Sequence, residues 1–380
     1  MLSESEYLNL FKKSRKQTIN QFIETYYVKT SIDKIKLSEY IKKKNIDLND
    51  IEKLKLIIEN KEDYLKRFYN TSLKVPEDMT ISEMPMKNKK YNNNLIIKYK
   101  NIIRNLHFYD ILKNTKSGFK IRSYLDVLFD LFNNRIIDYK LLTPSALFYI
   151  RQNGFGGVMS SFYFRASILN PYLIYSLNLT LLKGTKVFTP TLGWTSYLYG
   201  LLESRLLKEY VGTDVIKSVC EKTKEFAKNY PNIKTKIYNK PSENLLNYKF
   251  FSQKYKNYFD LVFFSPPYFK LEMYESDNQS TDNYKEYQDW LNGYWRKTIE
   301  CCHYVLQSNG KMCYILSGYG SENSEYFDLV NDMNNIAKEY FKLLSIQPMY
   351  NKDVHVTKQN KINNERIIIF TPLHFSKIKY

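Results

Sequence analysis

The residue types and spacing best suited to chemistry in this chain are Ser265, Pro266, Pro267 and Tyr268, which follow directly on the apolar run Leu261 to Phe264. Two successive prolines leave the backbone little freedom and remove two N–H donors, so the carbonyls around them face a ligand uncompensated. An exocyclic amine of adenine or cytosine is a group that needs such acceptors. Its lone pair is conjugated with the ring, and acceptors on its two hydrogens pull the nitrogen toward a tetrahedral form. Ser265 Oγ and the Pro266 carbonyl are assigned as those acceptors, with the Tyr268 ring stacked on an extruded base and Phe269 beside it facing nucleic acid. The chemistry that suits this corner is attack of the amine on a sulfonium methyl group, without a metal or a covalent intermediate.

A sulfonium donor needs its own site, and the sequence offers one upstream. The run Thr189-Pro190-Thr191-Leu192-Gly193-Trp194-Thr195-Ser196 leads from an apolar strand into a helical pattern, Tyr197 to Leu206. Such a strand-turn-helix brings backbone N–H groups and the bare Gly193 against the methionine and ribose part of S-adenosylmethionine. Thr189, Pro190, Gly193 and Trp194 are the candidate cofactor residues of that turn. Tyr210-Val211-Gly212-Thr213-Asp214 then reads as a second strand ending in an acid, and Asp214 can accept both ribose hydroxyls. Ser242 and Glu243 follow a third strand, where they can meet the adenine amine.

The elements that position these residues read as α/β. Beyond Lys183-Gly184, candidate strands run Lys186 to Thr189, Tyr210 to Thr213, Lys234 to Tyr238, Leu261 to Phe264, Lys311 to Leu316, Leu343 to Met349 and Ile367 to Thr371. Helical patterns lie between them, the order expected of a Rossmann-like sheet with crossover helices. Before it, Ile51, Leu54, Ile58, Leu65 and Phe68 recur at helix-face spacing. The division expected is a helical, basic accessory region over 1–140 and a catalytic domain over 141–380, with the prolines near 76 and 85 inviting a linker.

The formal charge of +18 on 380 residues favours a polyanionic partner. Lys89, Lys90, Lys98, Lys100 and Arg104 are the candidate nucleic-acid contacts, interleaved with Tyr91, Tyr99, His107, Phe108, Tyr109 and Phe119. No apolar run is long enough to cross a bilayer, and the chain reads as soluble and intracellular. Cys220, Cys301, Cys302 and Cys313 lack the paired spacing of a metal site.

At these motifs the sequence resembles the DNA amino-methyltransferases of the N4-cytosine and N6-adenine type, closest to a phage- and large-virus-associated branch. Their catalytic motif is Asp, Asn or Ser, then Pro-Pro, then an aromatic. The cofactor turn of that branch reads Asp-Pro-x-x-Gly-Trp-Gly-Gly, followed by Tyr-x-Gly-Thr-Asp. Pro190, Gly193, Trp194, Tyr210, Gly212, Thr213 and Asp214 match it, as does a downstream texture of Glu272, Tyr274, Gln279, Ser280, Tyr284, Tyr287 and Trp290. Thr189 replaces the motif acid, and Thr195 and Ser196 replace two glycines. The resemblance covers roughly 155–370 and implies a seven-stranded class I methyltransferase fold, S-adenosylmethionine as cofactor, and DNA, duplex with a flipped base or single-stranded, as partner. Adenosine in RNA is the alternative substrate, and a methyltransferase-like subunit that has lost catalysis and binds nucleic acid or a partner subunit is the alternative role.

Overall fold

Each short apolar run beyond Gly184 becomes a strand in the computed structural model, which describes residues 1–13, 15–87, 89–318, 327–350 and 365–373. The strands are β1 (Lys186–Thr189), β2 (Glu209–Asp214), β3 (Lys234–Asn239), β4 (Phe259–Phe264), β5 (Leu306–Leu316), β6 (Phe341–Pro348) and β7 (Arg366–Pro372). They form one sheet in the order β6-β7-β5-β4-β1-β2-β3. Neighbours pair in parallel except β7, which runs antiparallel to both β5 and β6. All seven coincide with candidate strands read from the sequence, within two residues at most ends.

Burial explains why these runs were readable. Val187, Phe188, Tyr210, Val211 and Leu261 to Phe264 are fully buried, as strands covered on both faces must be. The edge strand β3 alternates instead, exposing Lys234 and Lys236, charges that discourage another edge from pairing there. Crossover helices include α1 (Ser196–Glu203) after β1, α2 (Lys217–Ala227) after β2 and α3 (Lys297–Val305) before β5. The chain winds one way from β1 to β3 and the other way from β4 to β5. The crevice where those directions part, at the carboxyl ends of β1 and β4, is the place where open α/β sheets bind ligands.

The chain divides into two compact units differently from the boundary expected at 140. One unit comprises 1–76 and 104–167, the other 77–103 and 168–380. In the first, helices Leu48–Glu59, Lys61–Phe68, Tyr124–Asn133 and Pro144–Arg151 bury Ile51, Leu54, Leu65, Leu128 and Leu147. A small sheet pairs Tyr27–Lys29 antiparallel with Lys34–Lys36 and parallel with Ile136–Asp138. Ile137, Leu141 and Ile150 lie in this core, which carries the unit past 140.

The proline-marked segment expected to be a linker is a strap on the second unit. The hydroxyls of Tyr172, Tyr175 and Tyr199 donate to the carbonyls of Met84 at 2.6 Å, Glu83 at 3.1 Å and Met79. In return the strap gives Met86 N–H to Ser176 Oγ at 2.9 Å and Ile81 N–H to Glu203 at 2.9 Å. Prolines suit such a strap, because an extended chain bonded through carbonyls and side chains does not miss their N–H groups.

Candidate active site

The turn after β1 is wound left-handed at three successive residues, Gly193 at φ 52°, Trp194 at φ 58° and Thr195 at φ 69°. Glycine adopts this freely, whereas a β-branched threonine there is strained by on the order of 1–3 kcal/mol and must be held by its surroundings. Thr195 is fully buried, and its hydroxyl is shared with that of Thr223 on α2 at 2.7 Å. A Cβ on Gly193 would sit 2.2 Å from the Tyr197 ring, so the turn closes directly over that tyrosine.

Asp214 at the end of β2 braces the same turn. Its two carboxylate oxygens take the N–H groups of Leu192 and Ile216, each at 3.0 Å. Burial pushes its acidity down, raising the pKa, and these backbone donors partly oppose that. Each oxygen retains a lone pair for a further donor. Thr189 does not reach outward: it is fully buried, with its hydroxyl on that of Tyr210 at 2.6 Å.

Three buried side-chain oxygens near this crevice have no hydrogen-bond partner: Ser196 Oγ on the first turn of α1, Glu243 Oε1 after β3, and the Tyr294 hydroxyl. Burial pushes the Glu243 carboxyl up to about 7, against the pull of Lys297. Glu243 in turn helps raise the Tyr294 phenol well above its ordinary value, after burial. A buried polar atom left unpaired costs about 1–3 kcal/mol, so such atoms mark where a ligand or water belongs. Ser242, beside Glu243, is already satisfied by Thr298 at 3.0 Å.

The Ser265-Pro266-Pro267-Tyr268 corner stands at the carboxyl end of β4, beside the β1 turn. Tyr197 joins the two: its hydroxyl accepts the Ser265 N–H at 2.9 Å and donates to the Ser265 carbonyl at 3.2 Å. Burial raises that phenol to about 12, so it stays protonated and able to donate. Ser265 Oγ donates its proton to the Ile315 carbonyl on β5 at 3.0 Å. The serine itself is half-buried. With the proton committed, the oxygen presents only lone pairs to any further group. Tyr268 is anchored at its hydroxyl by the Ser317 N–H at 2.8 Å and Ser317 Oγ at 3.0 Å. Downstream, Tyr274 donates to Glu272 at 2.9 Å and lies 6.0 Å from the Trp194 ring.

Several sequence candidates lie elsewhere. Phe269 is 3% exposed, packed against Tyr287 and Trp290 with ring centres 5.4 Å and 5.7 Å away, so it builds the core under the corner and does not face nucleic acid. Arg104 points inward, giving an N–H to the Ser72 carbonyl at 2.8 Å, and burial lowers it to about 10. Lys98 is paired with Glu83 at 2.7 Å, and Lys100 reaches Asn94 at 3.3 Å. Lys89 and Lys90 are exposed, but Tyr91, Tyr99, His107 and Phe108, interleaved with them in sequence, are buried in the core and do not stack on bases. Tyr197 and Tyr294 escaped sequence reading because each sits in an apolar helical run with nothing to distinguish it from packing. Residues 351–364 lie outside the described residues, among which no helix is long and apolar enough to cross a membrane.

No protein-family model and no curated protein matches the chain. Among solved structures it is similar to TrmN from Thermus thermophilus, with 12% identity, TM-score 0.37, and coverage of 54% of this chain and 49% of that one. It is also similar to the N-methyltransferase NodS from Bradyrhizobium japonicum in complex with S-adenosyl-L-homocysteine, with 10% identity, TM-score 0.35, and coverage of 53% and 84%. A putative methylase from Haemophilus influenzae gives 12% identity, TM-score 0.33, and coverage of 56% and 95%. Likeness this distant adds no argument, and the class rests on strand order: the second unit has the class I methyltransferase fold, an α/β Rossmann-like sheet closed by one antiparallel strand.

Proposed function

We propose that this chain is an S-adenosylmethionine-dependent methyltransferase acting on the exocyclic amine of adenine or cytosine in DNA. The observation that carries the reading is the Tyr197 bridge, which fixes the Ser265 corner beside the turn at Gly193 in the crevice where the strand order reverses. The pocket's own chemistry fits the cofactor. Glu243 Oε1 is a buried acceptor suited to the adenine amine, Asp214 has lone pairs suited to ribose hydroxyls, and Gly193, with no side chain, lets the turn close over Tyr197. When bound, the cofactor supplies an electrophilic methyl group.

The chain's residues then manage the base. Ser265 Oγ, its proton held by Ile315, and the Pro266 carbonyl accept the two amine hydrogens and localise the nitrogen lone pair. Tyr268, pinned by Ser317, offers its ring to the base plane. Because these groups are set before the base arrives, little reorganisation is needed during reaction. A base inside a duplex must leave the stack to reach this corner. Transfer of labelled methyl groups into duplex DNA, single-stranded DNA and RNA, followed by nucleoside analysis, tests the reading. Product on N6 of adenine or N4 of cytosine in DNA supports it, product in RNA alone favours the RNA alternative, and label on neither refutes it.

One observation favours a catalytically impaired subunit: the Thr189 hydroxyl, where the resembling family has an acid, is occupied by Tyr210. Calorimetric titration separates that reading, which expects no heat with S-adenosylmethionine.

A further inference from the structure

We propose that the first unit carries its own binding site for a nucleic-acid phosphodiester backbone, in a basic cavity lined by Lys29, Lys113, Lys116, Lys120 and Arg122. The cavity measures about 600 Å³, and two carboxylates, Asp126 and Asp130, share its lining. Five cations against two lining acids, with Asp138 behind Arg122 as a third, leave an excess of two positive charges in one concave site.

The carboxylates hold some of the cations in place. Asp126 takes Lys116 at 2.8 Å, while Asp130 takes Arg122 and lies 3.9 Å from Lys29. Arg122 is fixed a second time by Asp138 at 2.9 Å. Lys113 and Lys120 make no ion pair among the described residues. Lys113 lies 5.6 Å from the centre of the Phe129 ring. Lys120 follows a tight turn closed by its own N–H on the Ser117 carbonyl at 3.1 Å, and it is exposed in the left-handed conformation at φ 57°. Next to it Phe119 is 40% exposed, an aromatic on the same turn.

The spread of five long cationic side chains over this volume is too wide for a single phosphate and suits a chain of them, where each neutralised phosphate releases counterions. Phosphate contacts from such cations would position a backbone without reading its sequence. The choice of nucleic acid as the polyanion rests on the proposed function, whereas the cavity stands on its own geometry.

Fluorescence anisotropy of the full chain on a short labelled duplex, repeated across a salt series, tests the site. In Lys113→Ala/Lys120→Asn the affinity at physiological salt is expected to fall on the order of tenfold, and the salt slope by roughly 0.9 per lysine removed. Asparagine at 120 keeps the left-handed turn, so Lys120→Asn alone is a second variant that leaves the backbone undisturbed. The matched control is Lys217→Ala/Lys228→Ala at α2, which removes two exposed lysines of the second unit. Wild-type affinity and slope in the cavity variants, or an equal loss in the control, would overturn the site. The heat of S-adenosylmethionine binding separates this from the proposed function: cofactor heat retained with duplex affinity lost in the cavity variant supports the site, and wild-type protein with cofactor heat but no affinity for the duplex overturns it. Absence of cofactor heat in the wild type refutes the proposed function while the duplex measurement still decides the cavity.

Discussion

Ser265 has one hydroxyl proton and commits it to Ile315, which is why the side chain serves better as an acceptor than as a nucleophile. Ser265→Ala removes that acceptor and is expected to lower kcat on the order of a hundredfold while leaving cofactor affinity unchanged, as rapid-quench and titration measurements would read. Tyr197→Phe keeps the ring under Gly193 but cuts the bridge, and a loss of about tenfold in kcat with unaltered Kd for the cofactor is expected. Glu243 titrates at a different point in the two states. Between the ordinary carboxylate range and about 7 the folded protein keeps a proton that the unfolded chain has released, so stability falls as pH rises through that window and levels off above it. The size is on the order of 3 kcal/mol. Cofactor affinity runs the opposite way, strengthening as Glu243 ionises and becomes the better acceptor. Denaturant melts and titrations across this range should show both slopes, and Glu243→Gln should flatten them.

Elements were legible where burial was symmetric. β1, β2, β4 and the second half of β5, from Met312, are enclosed on both faces and announced themselves as apolar runs, and the diproline corner stood out because few other roles suit those residues in that order. The left-handed winding at Trp194 and Thr195 was not legible, since neither residue type signals it; only tertiary contacts such as Thr195 with Thr223 hold it. Gly193 is the position there where the missing side chain itself is required. Gly193→Ala brings a methyl into the Tyr197 ring at a left-handed φ, and a loss of roughly 1–3 kcal/mol of stability with a matching fall in cofactor affinity is expected from thermal melts and calorimetry.

At the scale of the molecule, the sequence hid what depends on long-range return of the chain. A segment rich in lysine and tyrosine looked like one basic surface, yet Tyr91 and Tyr99 are core and its cations divide between the units: Lys98 belongs to the strap, Arg104 and Lys113 to the first unit. Lys29 joins Lys113 only in three dimensions. A truncation made at the boundary suggested by composition, removing 1–140, would strip the strap from Tyr172, Tyr175, Ser176 and Tyr199. With about 1 kcal/mol for each lost hydrogen bond, the fragment is expected to melt well below the full chain in differential scanning calorimetry. A version retaining 77–103 should recover most of the difference.

The strap has a further consequence during synthesis. Residues 77–103 leave the ribosome before the helices Pro171–Leu177 and Ser196–Glu203 that they dock on, and the first unit must wait for its last helix, Phe155–Phe162. Neither body completes from a contiguous stretch of nascent chain, so Met86, Tyr91 and Tyr99 remain without their burial site until translation has passed β1 and α1. Holding that segment back from premature association is therefore a task for the growing chain or for a chaperone, and the docking of the strap is a late event in folding.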